Sequence, residues 1–421
     1  MRIAVWHNLP SGGGLRCLAQ QIDWLVSRGH EVSVWCPTTA SALELGEAAR
    51  VDVNVLDLDT EATRLRTRLE GRGALTVVSR RLKAMTRHSQ VAAAAMAAFQ
   101  PDVFLLHPCQ WFRAPMVARW LPDPTVVYLQ EPFRLLYEAM PRLRWIGGLP
   151  EDRCERAAIA GLRRVVEMVR RGSDRRQARE ELRVILSATQ VLVNSRYSRE
   201  VVLRVFGRDA RVCRLGVDTR TFGPALTPRS IRPATSTPTV ISVGAFFPEK
   251  GAEFVLRAVA RVHPKPKLVW IGNAVWPSYL EDLEELACDL DVTFEPRTRV
   301  SDEALVEALR SADVFVYAPS LEPLGYAPLE AMSCGTPVVA VAEAGVRETV
   351  IEGVGGRLVD ARDEDAFAAA VSDLLSSPET VADLGRSARR HVEDHWSSER
   401  ATDAIEAELE RVVGALPNID P

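Results

Sequence analysis

No run of residues in this 421-residue chain is apolar for long enough to cross a bilayer as a helix, so a transmembrane helix is not expected. The seven cysteines are scattered, with no Cys-x-x-Cys pair and no histidine cluster beside them. A disulfide frame and a zinc site are therefore not indicated, and a reducing cytoplasm is the expected compartment. Positive charge is not in excess either: the net charge of −4 lacks the basic footprint of a general nucleic-acid binder. The opening Met-Arg-Ile-Ala-Val-Trp-His enters a strand-like run without a charged leader and apolar core, so no signal peptide is expected.

What is present describes a folded, two-domain chain. With 47% hydrophobic and 26% charged residues it is globular, and its length exceeds one ordinary core. Short apolar runs separated by helical patterns imply buried parallel strands with crossover helices. In the first half these runs are Ile3–Trp6, Glu31–Cys36, Val51–Leu56, Asp102–His107, Thr125–Leu129, Gln190–Asn194 and Arg211–Leu215, with a helix from about Gly14 to Ser27. The stretch Gly223–Pro238 is rich in Pro, Ser and Thr and reads as a linker. A second alternation follows in Thr239–Val243, Lys267–Ile271, Val292–Glu295, Asp313–Tyr317, Val338–Val341 and Arg357–Val359. A polar helix is expected from about Ser398 to Val413, with Ile405, Leu409 and Val412 at helical spacing.

The most informative segment is Leu321-Glu-Pro-Leu-Gly-Tyr-Ala-Pro-Leu-Glu330. A buried strand ends just before it, and Pro328 and Gly335 bracket a short helix. The backbone amides of Leu324, Gly325, Tyr326 and Ala327 are then expected at the helix N-terminus, where unpaired N–H groups and the helix dipole suit a phosphate. Glu322 stands in the loop and Glu330 in the first turns, so the two carboxylates can accept hydroxyls at opposite ends of one ligand. That combination points to a nucleotide sugar.

Glu322-x7-Glu330 resembles the signature of family 4 glycosyltransferases. Three further segments are similar to that family in the expected order: Pro10-Ser-Gly-Gly-Gly14, Leu215-Gly-Val-Asp-Thr-Arg-Thr-Phe222 and Val243-Gly-Ala-Phe-Phe-Pro-Glu-Lys-Gly251. The resemblance implies the GT-B fold, α/β with two Rossmann-like doubly wound parallel-sheet domains facing a cleft. It places an acceptor-side domain at 1–222, the linker at 223–238, a donor domain at 239–396, and a last helix within 397–421 crossing back to the first domain. It further implies a retaining, metal-independent transfer from a UDP- or GDP-linked sugar to an acceptor hydroxyl, with the sugar nucleotide as co-substrate and no other cofactor. The acceptor would belong to glycan, glycolipid or small-metabolite assembly.

Residue by residue, the resemblance assigns Glu330 to the ribose hydroxyls, and Glu322 with the 324–327 backbone to the sugar and diphosphate. Lys250 is the cation beside the β-phosphate, where it would stabilise charge as the sugar bond breaks. Arg299 and Val300 are placed at the base through backbone atoms. Gly13 and Gly14, preceded by Gly12, let amides approach a phosphate or sugar closely. His7 and His107 end strands where a cleft would open. His107 is carried as a candidate catalytic residue.

Two positions depart from the family pattern. Ala245 stands where an arginine is usual, and Gln130 stands where a histidine is usual in a segment reading Tyr128-Leu-Gln-Glu-Pro-Phe-Arg134. Glutamine keeps a hydrogen bond but cannot titrate. A noncatalytic sugar-nucleotide binder or scaffold with the same fold is the alternative these departures leave open. Asp57-Leu-Asp59 and Asp289-Leu-Asp291 match a metal motif of the other glycosyltransferase fold over only three residues and read as surface loops. The arginine-rich stretch from about Glu138 to Leu182 has acids interleaved, which favours an ordinary solvated helix over a peripheral membrane contact.

Overall fold

The computed structural model describes residues 1–58, 74–138, 172, 174–224, 237–360 and 362–415. Most of the linker expected at 223–238, most of the arginine-rich stretch, and Asp59 lie outside them. The chain divides into two compact units: Met1–Cys213 with Thr402–Pro421, and Arg214–Ala401.

The first unit is built on strands β1 (Arg2–Asn8), β2 (Glu31–Pro37), β3 (Val53–Leu56), β4 (Val103–Cys109), β5 (Thr125–Gln130), β6 (Gln190–Val193) and β7 (Arg211–Val212). They form one parallel sheet in the order β3-β2-β1-β4-β5-β6-β7. Helices cover both faces, which is why these strands are continuous apolar runs rather than alternating ones. Trp6, Phe104, Leu106 and Val127 pack on one face with Met85 and Met96 of helix Ala74–Ala98 and with Val184 and Ile185 of the helix at 174–187. Helix Gly13–Ser27 buries Leu15, Leu18, Ile22 and Leu25.

The part of helix Ser398–Gly414 that belongs to this unit is held by charge. The Arg28 guanidinium binds the carboxylates of Asp403 and Glu406, and His30 Nε2 lies 2.6 Å from Glu406.

The second unit carries β8 (Thr239–Val243), β9 (Lys267–Ile271), β10 (Phe294–Arg297), β11 (Val314–Tyr317), β12 (Val338–Val341) and β13 (Gly356–Val359). Its sheet is parallel, in the order β10-β9-β8-β11-β12-β13. Val240, Leu268, Trp270, Val316 and Val339 meet Val255, Leu256, Leu283, Phe367 and Val371 from the covering helices.

Several boundaries differ from the sequence expectation, and two of the differences have a clear local cause. Residues 214–222 group with the second unit, although composition changes only after Phe222. The cause is pairing: Val217 N donates to Trp396 O at 2.8 Å, and the Phe222 carbonyl accepts from Arg389 and Ser333. The strand expected at Val292–Glu295 begins at Phe294 instead, because Val292 N closes the preceding helix on Ala287 O and Asp291 takes a φ of 52°.

In both sheets the strand order reverses beside the first strand, between β1 and β4 and between β8 and β11. Such a switch point separates the loops at the carboxyl ends of two neighbouring strands and opens a crevice for a ligand.

Candidate functional site

In the second unit, the switch point brings together two loops that are 72 residues apart in sequence. The loop after β8 makes a single tight turn, Pro248–Lys250, ended by Gly251 at a φ of 74°. A side chain at Gly251 would place its Cβ 2.0 Å from the Ala318 carbonyl oxygen, so glycine is required for this loop to lie against the end of β11. Ser320 N donates to Glu249 O at 2.8 Å, which ties the loops together. Across that seam Lys250 Nζ sits 2.8 Å from Glu322 Oε2, with side chains only 21% and 14% exposed. The ammonium has two further donors for another acceptor.

Beyond Glu322, Gly325 adopts a φ of 84° and caps helix Tyr326–Ser333 at its N-terminus. Glu330 lies in that helix and is 2% exposed. The loop is held from three sides. Leu321, at a φ of 49°, donates its N–H to Glu343 Oε1 at 2.9 Å. Arg362 reaches Glu343 Oε2 at 3.2 Å and Ser320 Oγ at 3.0 Å. Gly345 N donates to the Glu322 carbonyl at 2.9 Å, and Tyr326 donates its phenol to Gly216 O at 2.9 Å.

Glu343, Gly345 and Arg362 were not singled out from the sequence. Gly345 follows β12, and only the pairing of β12 with β11 brings its loop beside 321–325, so the sequence alone held no signal for it.

Arg299 and Val300 follow β10, at the edge of this sheet and two strands from β8. Arg299 is exposed and has a φ of 56°, and Val300 N donates to Asn273 Oδ1 at 3.1 Å. At the usual strand spacing they lie roughly 10 Å across the sheet from the Lys250 loop. Ala245 leaves the loop after β8 with Lys250 as its only cation, and the lysine stem lies over Gly244, with Cγ 3.5 Å from where a Cβ would stand.

In the first unit, the switch point places His7 of β1 beside His107 of β4. Both are buried, at 0% and 1% exposed. Burial lowers the pKa of His7 to about 4. Burial, with His7 as a neighbour, lowers that of His107 to about 3. His7 Nδ1 accepts from Leu9 N at 3.2 Å. Neither ring nitrogen of His107 has a hydrogen-bond partner among the described residues, and its ring packs edge-on against Tyr128.

Both rings are therefore neutral at pH 7, and the direction of the pH effect follows. The unfolded chain binds more protons than the folded one below about 6.5. Stability from this pair is complete above that pH and is lost as pH falls toward 4 and then 3. We expect up to about 1.4 kcal/mol lost per pH unit for each ring, seen as a falling urea midpoint between pH 7 and 5. His107→Leu should flatten that slope; an unchanged slope would show that the ring does not titrate on unfolding.

Gln130 ends β5 at a φ of 62°, beside an irregularity in the β5–β6 register, and is half-buried. Positive φ is uncommon for a residue with a side chain and turns this amide out of the strand line. Gly12, at a φ of 136°, precedes helix Gly13–Ser27, and a Cβ there would meet nothing within 4 Å. A polar network at the end of β1 went unnoticed in the sequence, since its members lie at or just after the ends of three different strands. Asn8 Oδ1 accepts from Thr39 Oγ1 at 2.9 Å and from Gln110 Nε2 at 3.0 Å.

Of the two Asp-x-Asp matches, Asp291 pairs with Lys265 after helix Pro277–Asp289, and Asp59 lies outside the described residues. Among the described residues no group of three or more His, Cys, Asp or Glu side chains is placed to hold a metal ion, and no helix is long and apolar enough to cross a membrane.

Two parallel-sheet α/β domains define the GT-B fold. Solved structures agree over nearly the whole chain. The Anabaena protein Alr3699/HepE in complex with UDP is 16% identical, with 98% of this chain and 100% of that one covered at a TM-score of 0.68. Sucrose-phosphate synthase from Thermosynechococcus elongatus is 19% identical, with 99% and 100% covered at a TM-score of 0.69.

The family model for Glycosyltransferase Family 4 matches residues 11–221 and that for Glycosyl transferases group 1 matches 227–391, and the chain belongs to glycosyltransferase family 4. It is 34% identical over 220 residues to the GDP-mannose-dependent alpha-(1-6)-phosphatidylinositol monomannoside mannosyltransferase of Mycolicibacterium smegmatis, covering 48% of this chain and 57% of that protein. It is also 34% identical over 246 residues to the D-inositol 3-phosphate glycosyltransferase of Geodermatophilus obscurus, covering 54% and 53%. The chain spans about half the length of the curated relatives it matches.

Proposed function

We propose that this protein is a retaining, metal-independent glycosyltransferase that moves a sugar from a UDP- or GDP-linked donor to an acceptor hydroxyl. The observation that carries the reading is the Lys250–Glu322 pair at the switch point, next to the glycine-capped helix that bears Glu330. In this reading the second unit binds the donor. Glu330 accepts the ribose hydroxyls, the amides at 324–327 hold the diphosphate, and the base lies toward Arg299 and Val300. A separation of roughly 10 Å between those loops suits a nucleoside diphosphate laid across the sheet.

Lys250 stands where negative charge grows on the leaving diphosphate, and its ion pair with Glu322 fixes it there before reaction. Glu322 is placed to accept from the sugar hydroxyls. The departing phosphate takes the acceptor proton on the same face of the sugar, and the protein's task is to align the two substrates. The first unit is proposed to present the acceptor, with Gly13 and Gly14 offering amides and Gln130 offering a hydrogen bond; His107, buried against Tyr128, does not reach the surface and takes no acid–base step at pH 7. The likeness to a GDP-mannose-dependent mannosyltransferase supports a sugar-nucleotide donor.

Ala245 is the observation that favours the noncatalytic alternative, because it leaves Lys250 as the one cation of its loop. A panel of UDP- and GDP-sugars, followed for release of free nucleotide with and without hydroxyl acceptors, separates the two. Turnover with an α-linked product from an α-linked donor is expected. Tight donor binding without release from any donor would establish the binder instead.

A further inference from the structure

In the first unit, a cavity of about 550 Å³ opens between helix Ala74–Ala98 and the helix at 174–187. Five basic side chains line it, Lys83, Arg87, Arg176, Arg179 and Arg183, and Glu180 is the one acid among its described lining residues. Lys83 and Arg87 are four apart on one helix, and Arg179 and Arg183 are four apart on the other. Like charges at that spacing face one another and destabilise a helix, so each helix carries a repulsion that an anion between them would relieve.

Glu180 offsets this charge only at Arg183, because its ion pairs are to Arg119 and Arg183. Its side chain is 6% exposed, and its two oxygens lie 2.5 Å from Arg119 and 2.6 Å from Arg183. Its charge is engaged by those two guanidinium groups, and the side chains of Lys83 and Arg87 on one helix and Arg179 on the other are exposed to the cavity. Guanidinium forks match phosphoryl oxygens two at a time, and the volume falls in the range of small-molecule sites.

We propose that this cavity binds a phosphoryl-bearing polyanion of the diphosphate class. It stands independently of the donor clamp, which lies on residues of the other unit. The phosphoryl group can belong to a soluble ester or to a lipid headgroup. Val91, Leu182 and Leu186 are exposed on the same two helices, which makes the lipid source worth its own arm of the test.

The test uses the full chain carrying Lys250→Ala, so that the donor clamp does not dominate, and titrates inorganic pyrophosphate by calorimetry. Loss of two charge-assisted hydrogen-bonding groups in Arg87→Ala/Arg179→Ala should weaken binding by at least about tenfold, as should raised salt. Arg179→Ala alone, at an exposed position, checks that any loss is not a folding defect. In parallel, sedimentation is measured with phosphatidylcholine vesicles with and without phosphatidylglycerol.

A site for soluble phosphoryl groups shows as pyrophosphate binding that the double variant loses. A headgroup site shows as sedimentation with phosphatidylglycerol alone that the double variant loses. Binding of both probes unchanged in the double variant, or no binding of either by the parent, overturns the proposal.

Discussion

Replacing Lys250 with alanine is expected to lower the rate of sugar transfer by about 10²–10³ while weakening donor binding far less. In the proposed role, the ammonium faces a diphosphate whose charge increases as the sugar bond breaks, so most of its effect falls on the transition state. Two structural facts sharpen this expectation. Ala245 removes the arginine usual beside it, so no second cation in this loop shares the task. The 2.8 Å contact with Glu322 holds the ammonium in place, so Glu322→Ala should also slow transfer by leaving Lys250 less well fixed. Steady-state kinetics with the best donor measures both. A variant that raises KM with kcat unchanged would place Lys250 in ground-state binding only.

Gly345→Ala is expected to destabilise the second unit by about 1–3 kcal/mol and to weaken donor binding at the same time. The reason is local. A Cβ at Gly345 would stand 2.0 Å from Pro323 O, 2.4 Å from Pro323 C and 2.7 Å from Leu324 N, all backbone atoms that no side-chain rotation can move aside. The 321–325 loop must shift, and with it the hydrogen bond from Gly345 N to the Glu322 carbonyl. Urea unfolding and donor titration on the same sample test the coupling. Normal donor affinity in a destabilised variant would show that the loop position does not govern the site.

Strands with two buried faces announced themselves, because an uninterrupted run such as Val338–Val341 or Lys267–Ile271 has few other uses. The ends were harder. Val292 is apolar and β-branched like a strand residue, yet it closes a helix, since a hydrogen bond to Ala287 outweighs local preference. The acidic pair was legible because Glu322, Gly325 and Glu330 lie within one segment. The residues that hold that segment were not, because Glu343, Gly345 and Arg362 reach it only through the order of strands β11, β12 and β13. His107 was legible as a strand-end histidine, but its complete burial against Tyr128 was not, for burial depends on helices far away in sequence.

In the proposed site, Glu330 and the loop beginning at Glu322 form one clamp on a nucleoside diphosphate. Calorimetric titration of UDP and GDP into the wild-type protein and into Glu330→Ala tests it most directly, with thermal unfolding of both as the check on folding. In the proposed role of Glu330 at the ribose hydroxyls, its removal should weaken the preferred nucleotide by at least about tenfold, with the melting transition retained. Equal affinity in the two proteins would show that Glu330 does not hold the nucleotide.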